Sequence, residues 1–254
     1  MPEASLPRPG RLTGLILALQ FLTRLPTPQL KAFHPSWLAA SARWFAVVGL
    51  LVGALLALAA LAGSRIDPWL GALVALVAWV WVTGGLHLDG LGDLADALGA
   101  SHRDPARFHA VLKDPHVGSF GVLALVLAVL AKLLLLMLLL KAGAPLWGLL
   151  LLPAWTRLFA VAWSATLPPL AGGSGERFGW QSHWPSLSVN LVLLTGLSVW
   201  LAPVLLAAPL AGLAWWAFLR RRLGGMTGDC LGAGIELCEI LLLLLLVIAP
   251  HLPA

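Results

Sequence analysis

Charge is scarce in this sequence. Of its 254 residues, 11% are Asp, Glu, Lys or Arg, where a soluble domain carries about a quarter. A normally wetted surface is thereby excluded. Cysteine is scarce as well: Cys230 and Cys238 are the two present, and no CxxC occurs. One pair cannot staple a disulfide scaffold, and both read as small apolar packing residues. The N-terminus, MPEASLPRPGR, lacks the basic, apolar, then small-residue order of a cleaved signal, so the chain is expected to be retained whole. GxxxxGK[ST], GxSxG and HExxH are all missing, which argues against a P-loop ATPase, a serine hydrolase or a zincin.

What is present is hydrocarbon. Apolar residues make up 60% of the chain and the mean hydropathy is +0.92. The expected fold class is an all-α, polytopic integral membrane helix bundle in a single membrane-embedded domain over 1–254. About six transmembrane helices and an N-terminal interfacial or re-entrant helix are expected, since a crossing needs roughly 20 apolar residues. Spans read near 38–62, 69–88, 118–140, 145–170 and 235–250, with a long apolar stretch at 187–219 broken by Pro203 and Pro209. The piece at 12–25 is short and ends in Arg24 and Pro26, which suits an interfacial or re-entrant helix.

The basic residues decide how 187–219 is threaded. If it crosses twice, Arg8, Arg11, Arg24, Lys31, Arg103, Arg107, Lys113, Arg177 and Arg220 to Arg222 share one side, and only Arg65 and Lys141 take the other. Arg43, Lys132 and Arg157 then stay within spans. The positive-inside rule favours this threading, with the N-terminus in the cytoplasm. The net charge of +5 is accounted for by topology and anionic headgroups, so nucleic-acid binding does not follow from it.

The acids are clustered. Asp89, Asp93, Asp96, Asp104 and Asp114 fall in 89–114, and Asp229, Glu236 and Glu239 in 229–239. Asp89, Asp93 and Asp96 are spaced i, i+4, i+7, hence on one face of a helix, where like charges repel unless a cation compensates. A solvated helix end is the bland alternative. Carboxylates without clustered His or Cys suit Mg²⁺ or Mn²⁺ rather than Zn²⁺. Asp229 and Glu236 share a face if a helix starts near Asp229, and GGMTGD before it suits close contact with a phosphate. Glu239 lies deeper and could pair with a basic residue of the bundle, while His87 reads as a hydrogen-bonded structural residue. Arg103, Arg107 and Lys113 could neutralise phosphate oxygens, with Lys113 beside Asp114 in the loop KDPHVGSFG. Arg43 and Arg157, within spans, are expected to face the interior and pair with an acid or an anionic substrate. Together these residues point to a membrane-embedded, metal-dependent transferase acting on a phosphorylated substrate.

FLTRLPTP at 21–28, ARWFAVVGLLVG at 42–53, GGLHLDGLGDLADALGA at 84–100, LKDPHVGSFGVLAL at 112–125 and GGMTGDCLGAGIEL at 224–237 resemble the cobalamin synthase family. These are the adenosylcobinamide-GDP ribazoletransferases, which close the nucleotide loop of vitamin B12. The DGxxDxxD core is also similar to that of the CDP-alcohol phosphotransferases, without the AR of their signature. The resemblance to the first family implies that α-ribazole, or its 5′-phosphate, attacks adenosylcobinamide-GDP. GMP leaves and adenosylcobalamin, or its 5′-phosphate, forms with Mg²⁺ as cofactor. It implies Asp89, Asp93, Asp96, Asp229 and Glu236 as metal ligands. Asp93, Asp114 and Lys113 are the catalytic candidates, and Arg43, Arg107, Arg157 and Gly228 the substrate-binding ones. The expected setting is the bacterial cytoplasmic membrane with the site facing the cytoplasm. A homo-oligomer or an assembly with other enzymes of cobalamin synthesis stays open. The competing readings are a phospholipid synthase-like enzyme and a cation-coupled transporter.

Overall fold

The structure, a computed structural model, describes residues 10–30, 33–101, 104–170 and 184–251. Arg8, Lys31, Arg103 and Arg177, which entered the count of basic residues above, lie outside them. The described residues are helical almost throughout. After α1 (Arg11–Leu22), a short α2 (Ser36–Ser41) runs through a 3-10 turn at Ala42–Trp44 into α3 (Phe45–Ser64). The three together form one apolar span of 29 residues, Ser36–Ser64.

Helix α4 (Pro68–Thr83) starts where Pro68 needs no hydrogen bond and the Asp67 carboxylate accepts from Trp69 N at 2.8 Å. It stops at Gly84 and Gly85, whose φ of 62° and 71° lie in the left-handed region. Beyond them α5 (Leu86–Ser101) leaves at 84° to α4. The expected span 69–88 is thus corrected: the apolar run ends at Thr83, and His87 already belongs to a helix turned across the bundle. Packing supports the corner, because a side chain at Gly84 would meet Arg24, which follows α1.

A short α6 (Pro105–Leu112), capped by Asp104 accepting from Ala106 N at 2.9 Å, precedes the long α7 (Ser119–Lys141). Then come α8 (Trp147–Thr166), α9 (Trp184–Leu201), a 3-10 turn at Pro203–Ala207, α10 (Ala208–Arg222) and α11 (Gly228–Ile248). Six helical segments are long and apolar enough to cross a membrane: Ser36–Ser64, α7, α8, α9, Pro203–Arg222 and α11. The protein is an integral membrane helix bundle.

The stretch 187–219 does traverse the bundle twice. Trp163 Nε1 donates to Gly212 O at 2.9 Å and Trp216 Nε1 to Thr166 Oγ1 at 3.1 Å, so α8 and α10 run side by side in one direction. Trp155 Nε1 donates to Ser198 Oγ at 3.0 Å while Trp184 lies near Thr166, so α9 runs the opposite way. Closest packing comes from small residues. A Cβ on Gly49 of α3 would stand 2.5 Å from Ala154 Cα and 2.6 Å from Pro153 O of α8, the close backbone approach that membrane helices use.

Basic residues divide between the two ends. Gly63 packs on Gly71, and Gly71 on Leu140, which brings Arg65 and Lys141 to one end. At the other end Met226 N donates to Pro168 O at 3.0 Å and Leu170 N to Met226 O at 2.9 Å. These bonds place the end of α8, the start of α11 and the arginines closing α10 together.

Candidate active site

The acidic face is built where α5 crosses the first turns of α11. Gly90 makes the approach possible: a Cβ there would stand 3.0 Å from both Cα and O of Asp229. Gly232 lies one turn on, where a Cβ would be 3.3 Å from Cα and O of His87. Helix α11 begins at Gly228, seven residues before the expected start of the last span. Its N-cap is Thr227, whose hydroxyl accepts from Cys230 N at 3.3 Å. Asp229 therefore sits in the first helical turn, where the free N–H groups favour a negative charge.

Asp89, Asp93 and Asp96 do lie on the helix α5, as their spacing requires. Asp89 is exposed, and Asp93 and Asp229 are half-buried. The carboxyl of Asp93 is pushed up to about 6 by burial and then by the charges of Asp89, Asp229 and Asp96. Burial is the larger cause, and the neighbouring carboxylates add to it by opposing one another's ionisation. A divalent cation among Asp89, Asp93 and Asp229 would reverse the effect, and hard oxygen donors fit Mg²⁺. Among the described residues, no group of three or more His, Cys, Asp or Glu side chains is arranged to hold a metal ion.

Asp96 is engaged elsewhere. Its two oxygens accept from Gly118 N at 2.7 Å and Gly121 N at 2.8 Å, so it caps the start of α7. A carboxylate retains further lone pairs, but this one is oriented by α7. The 2.7 Å bond also returns the loop 113–118 to α5. Lys113 and Asp114 on that loop are exposed, as is Arg107 on α6. Asp114 accepts from His116 N at 3.0 Å and pairs with His116 Nδ1 at 2.7 Å, which holds its carboxyl below the usual range.

Glu236 is not brought to the aspartates. Seven residues along α11 from Asp229 is roughly 10 Å of helix, and the carboxylate there meets Lys132 Nζ of α7 at 2.6 Å. Lys132 also pairs with Glu239 at 2.5 Å and sits 4.2 Å from the Trp79 ring centroid. Glu239 pairs in turn with Arg157 of α8. Arg157 Nη1 donates to Thr156 Oγ1 at 3.0 Å, and Nη2 lies 3.2 Å from His87 Nδ1. Two cations and two carboxylates thus cancel inside the bundle, as burial of charge demands.

Arg157 is 0% exposed and closed off in this network, so it stands behind the site and offers no face to a ligand. The expectation that it pairs with an acid holds, and so does the pairing of Glu239 with a base of the bundle. Arg43 packs against α1, where a Cβ on Gly14 would stand 3.4 Å from its Nη2. It occupies the 3-10 turn before α3, 6.0 Å from the Trp44 ring centroid, and its carbonyl accepts from Asn190 Nδ2 at 3.2 Å. Gly228 opens α11 beside Asp229. Cys230 and Cys238 are free and buried, in agreement with packing roles. The acceptor role of Asp96 was missed in the sequence. Its signal was the glycine pair in GSFG, since a Cβ at Gly118 would stand 2.5 Å from Asp96 Oδ1.

An α-helical integral membrane protein with an acidic site at one end of its bundle, made by a helix laid across the start of a span, is the class this fold defines. The family model for cobalamin-5-phosphate synthase matches residues 14–247, and the chain belongs to that family. It is 65% identical to the adenosylcobinamide-GDP ribazoletransferase of Laribacter hongkongensis, over 94% of this chain and 98% of that protein. Proteins of the same name from Thiobacillus denitrificans and Novosphingobium aromaticivorans are 53% and 49% identical, each over 91% of this chain and 94% of theirs. No solved structure matches.

Proposed function

We infer that this chain transfers the adenosylcobinamide phosphate group of adenosylcobinamide-GDP to a hydroxyl of α-ribazole or α-ribazole 5′-phosphate. A new P–O bond forms to the ribazole oxygen, the P–O bond to GMP breaks, and adenosylcobalamin or its 5′-phosphate results. The observation that carries this reading is the crossing of α5, which bears Asp89 and Asp93, over the Asp229 backbone of α11 in a chain of this family.

Asp89, Asp93 and Asp229 would hold Mg²⁺, which when bound offsets the charge that develops on phosphate oxygens. Asp96 fixes the start of α7 and thereby the loop that carries Lys113. Lys113 and Arg107, both exposed, would neutralise the nucleotide phosphates. The proton of the attacking hydroxyl passes to a carboxylate of the set. Asp93, half-buried on α5, is the candidate for that transfer. The face lies at the end of the bundle richer in arginine, and the positive-inside rule supports a cytoplasmic orientation in the inner membrane.

The test is GMP release by purified protein given adenosylcobinamide-GDP, α-ribazole and Mg²⁺, beside Asp93→Asn. GMP with a matching corrinoid product, lost in the variant, is the expected result. Folded wild type that releases no GMP, yet turns over CDP-activated alcohols, would replace this reading with a phospholipid synthase-like one.

A further inference from the structure

Between α8, α9 and α10, at the end of the bundle where Asp229 lies, a groove of about 420 Å³ opens on the flank of three spans. Trp155, Phe159, Trp163, Trp184, Leu213 and Trp216 form its main walls, with Gly212 at its base. A Cβ on Gly212 would stand 2.9 Å from the Phe159 ring, so the depth of the groove depends on that glycine.

The size suits a small ligand, but the chemistry restricts which. Ligand sites orient polar molecules with a few free donors and acceptors. Here three of the four indole N–H groups in the lining are already engaged. Trp155 Nε1 donates to Ser198 Oγ at 3.0 Å, Trp163 Nε1 to Gly212 O at 2.9 Å and Trp216 Nε1 to Thr166 Oγ1 at 3.1 Å. The Thr166 hydroxyl donates to Ala162 O at 2.7 Å. A heterocycle, ribose or phosphate seated among the walls of Trp155, Trp163 and Trp216 would lose its water and gain few partners. A hydrocarbon chain loses nothing.

One turn beyond Trp216 the surroundings change. The Arg220 guanidinium lies 5.0 Å from the Trp216 ring centroid, and Arg220, Arg221 and Arg222 are all exposed at the end of α10. We propose that the groove holds an acyl chain of an anionic phospholipid whose headgroup phosphate is met by Arg220. Indole rings prefer the headgroup level of a bilayer, and arginines beside it attract anionic lipid. A second copy of the chain is a poorer occupant. A two-fold contact through this face would set each Arg220–Arg222 triplet against its own counterpart.

The full-length protein in detergent is mixed with dioleoyl phosphatidylglycerol or dioleoyl phosphatidylcholine, and retained lipid is counted by native mass spectrometry. Wild type is expected to retain phosphatidylglycerol several-fold over phosphatidylcholine. Arg220→Gln is expected to erase that preference. Leu213→Trp, at a position 60% exposed and so tolerant of a larger ring, is expected to fill the groove and lower retention of both lipids. Equal retention of the two lipids by wild type would overturn the proposal. So would unchanged retention in Leu213→Trp, or a dimer that Leu213→Trp abolishes while no lipid is bound.

Discussion

Nη2 of Arg157 lies 3.2 Å from Nδ1 of His87, two residues before the first aspartate of the acidic face. Through Arg157, helix α5 is joined to Glu239, Lys132 and Glu236, so the neutral charge network in the bundle also seats the helix that carries Asp89 and Asp93.

That network should be costly to unbalance and tolerant of neutral replacement. Lys132→Met leaves a buried carboxylate uncompensated and is expected to lower stability by about 3–5 kcal/mol. Lys132→Met with Glu236→Gln removes one charge of each sign and should recover most of the loss. Thermal unfolding in detergent compares the two; equal melting temperatures for single and double variants would refute the balance. Because Glu236 faces Lys132, Glu236→Gln alone should leave the Mg²⁺ concentration dependence of GMP release unchanged.

The α5–α11 crossing depends on Gly90, where added atoms would run into the Asp229 backbone. Gly90→Val should spread Asp93 from Asp229 and lower kcat/KM by about a hundredfold, the order expected for a displacement near 1 Å. Initial-rate assays with a parallel melt check this, and wild-type kcat/KM in a folded Gly90→Val protein would refute it.

Asp96 tests capping against ligation. Asp96→Asn keeps an acceptor for only one of the two N–H groups of Gly118 and Gly121, and the lost cap bond should cost about 1 kcal/mol. Gly121→Ala drives a methyl group into the same carboxylate and should lower activity with wild-type Mg²⁺ dependence. A shift in the Mg²⁺ requirement in Gly121→Ala would instead give Asp96 a ligand role.

The Asp93 carboxyl also makes stability depend on pH. Its value rises from 3.8 to about 6 on folding, so the folded state holds the proton longer than the unfolded chain. Stability without divalent ions should therefore fall as pH rises from about 4 to 6 and level off above. Asp93→Asn should flatten that slope, and Mg²⁺ at neutral pH should raise the melting temperature of wild type but not of the variant. Melting curves in EDTA across this range read the slope directly.

The sequence by itself determined a great deal here. Long apolar runs leave a chain few options but to cross a membrane as helices, and the basic residues favoured two crossings of 187–219, which the antiparallel α9 and α10 bear out. The i, i+4, i+7 aspartates needed only helical periodicity to share a face. Tertiary structure decided what those local rules do not reach. The 84° turn at Gly84–Gly85 looked like the tail of a span, because hydropathy carries no direction. Glu236 shares its helix with Asp229, yet which carboxylate turns to a cation depends on Lys132 arriving from α7, 104 residues earlier in the chain. Asp96 likewise looked like its neighbours until Gly118 and Gly121 presented their N–H groups to it. Periodicity places side chains on a face; only the packing of other helices against that face decides which of them are neutralised within the protein.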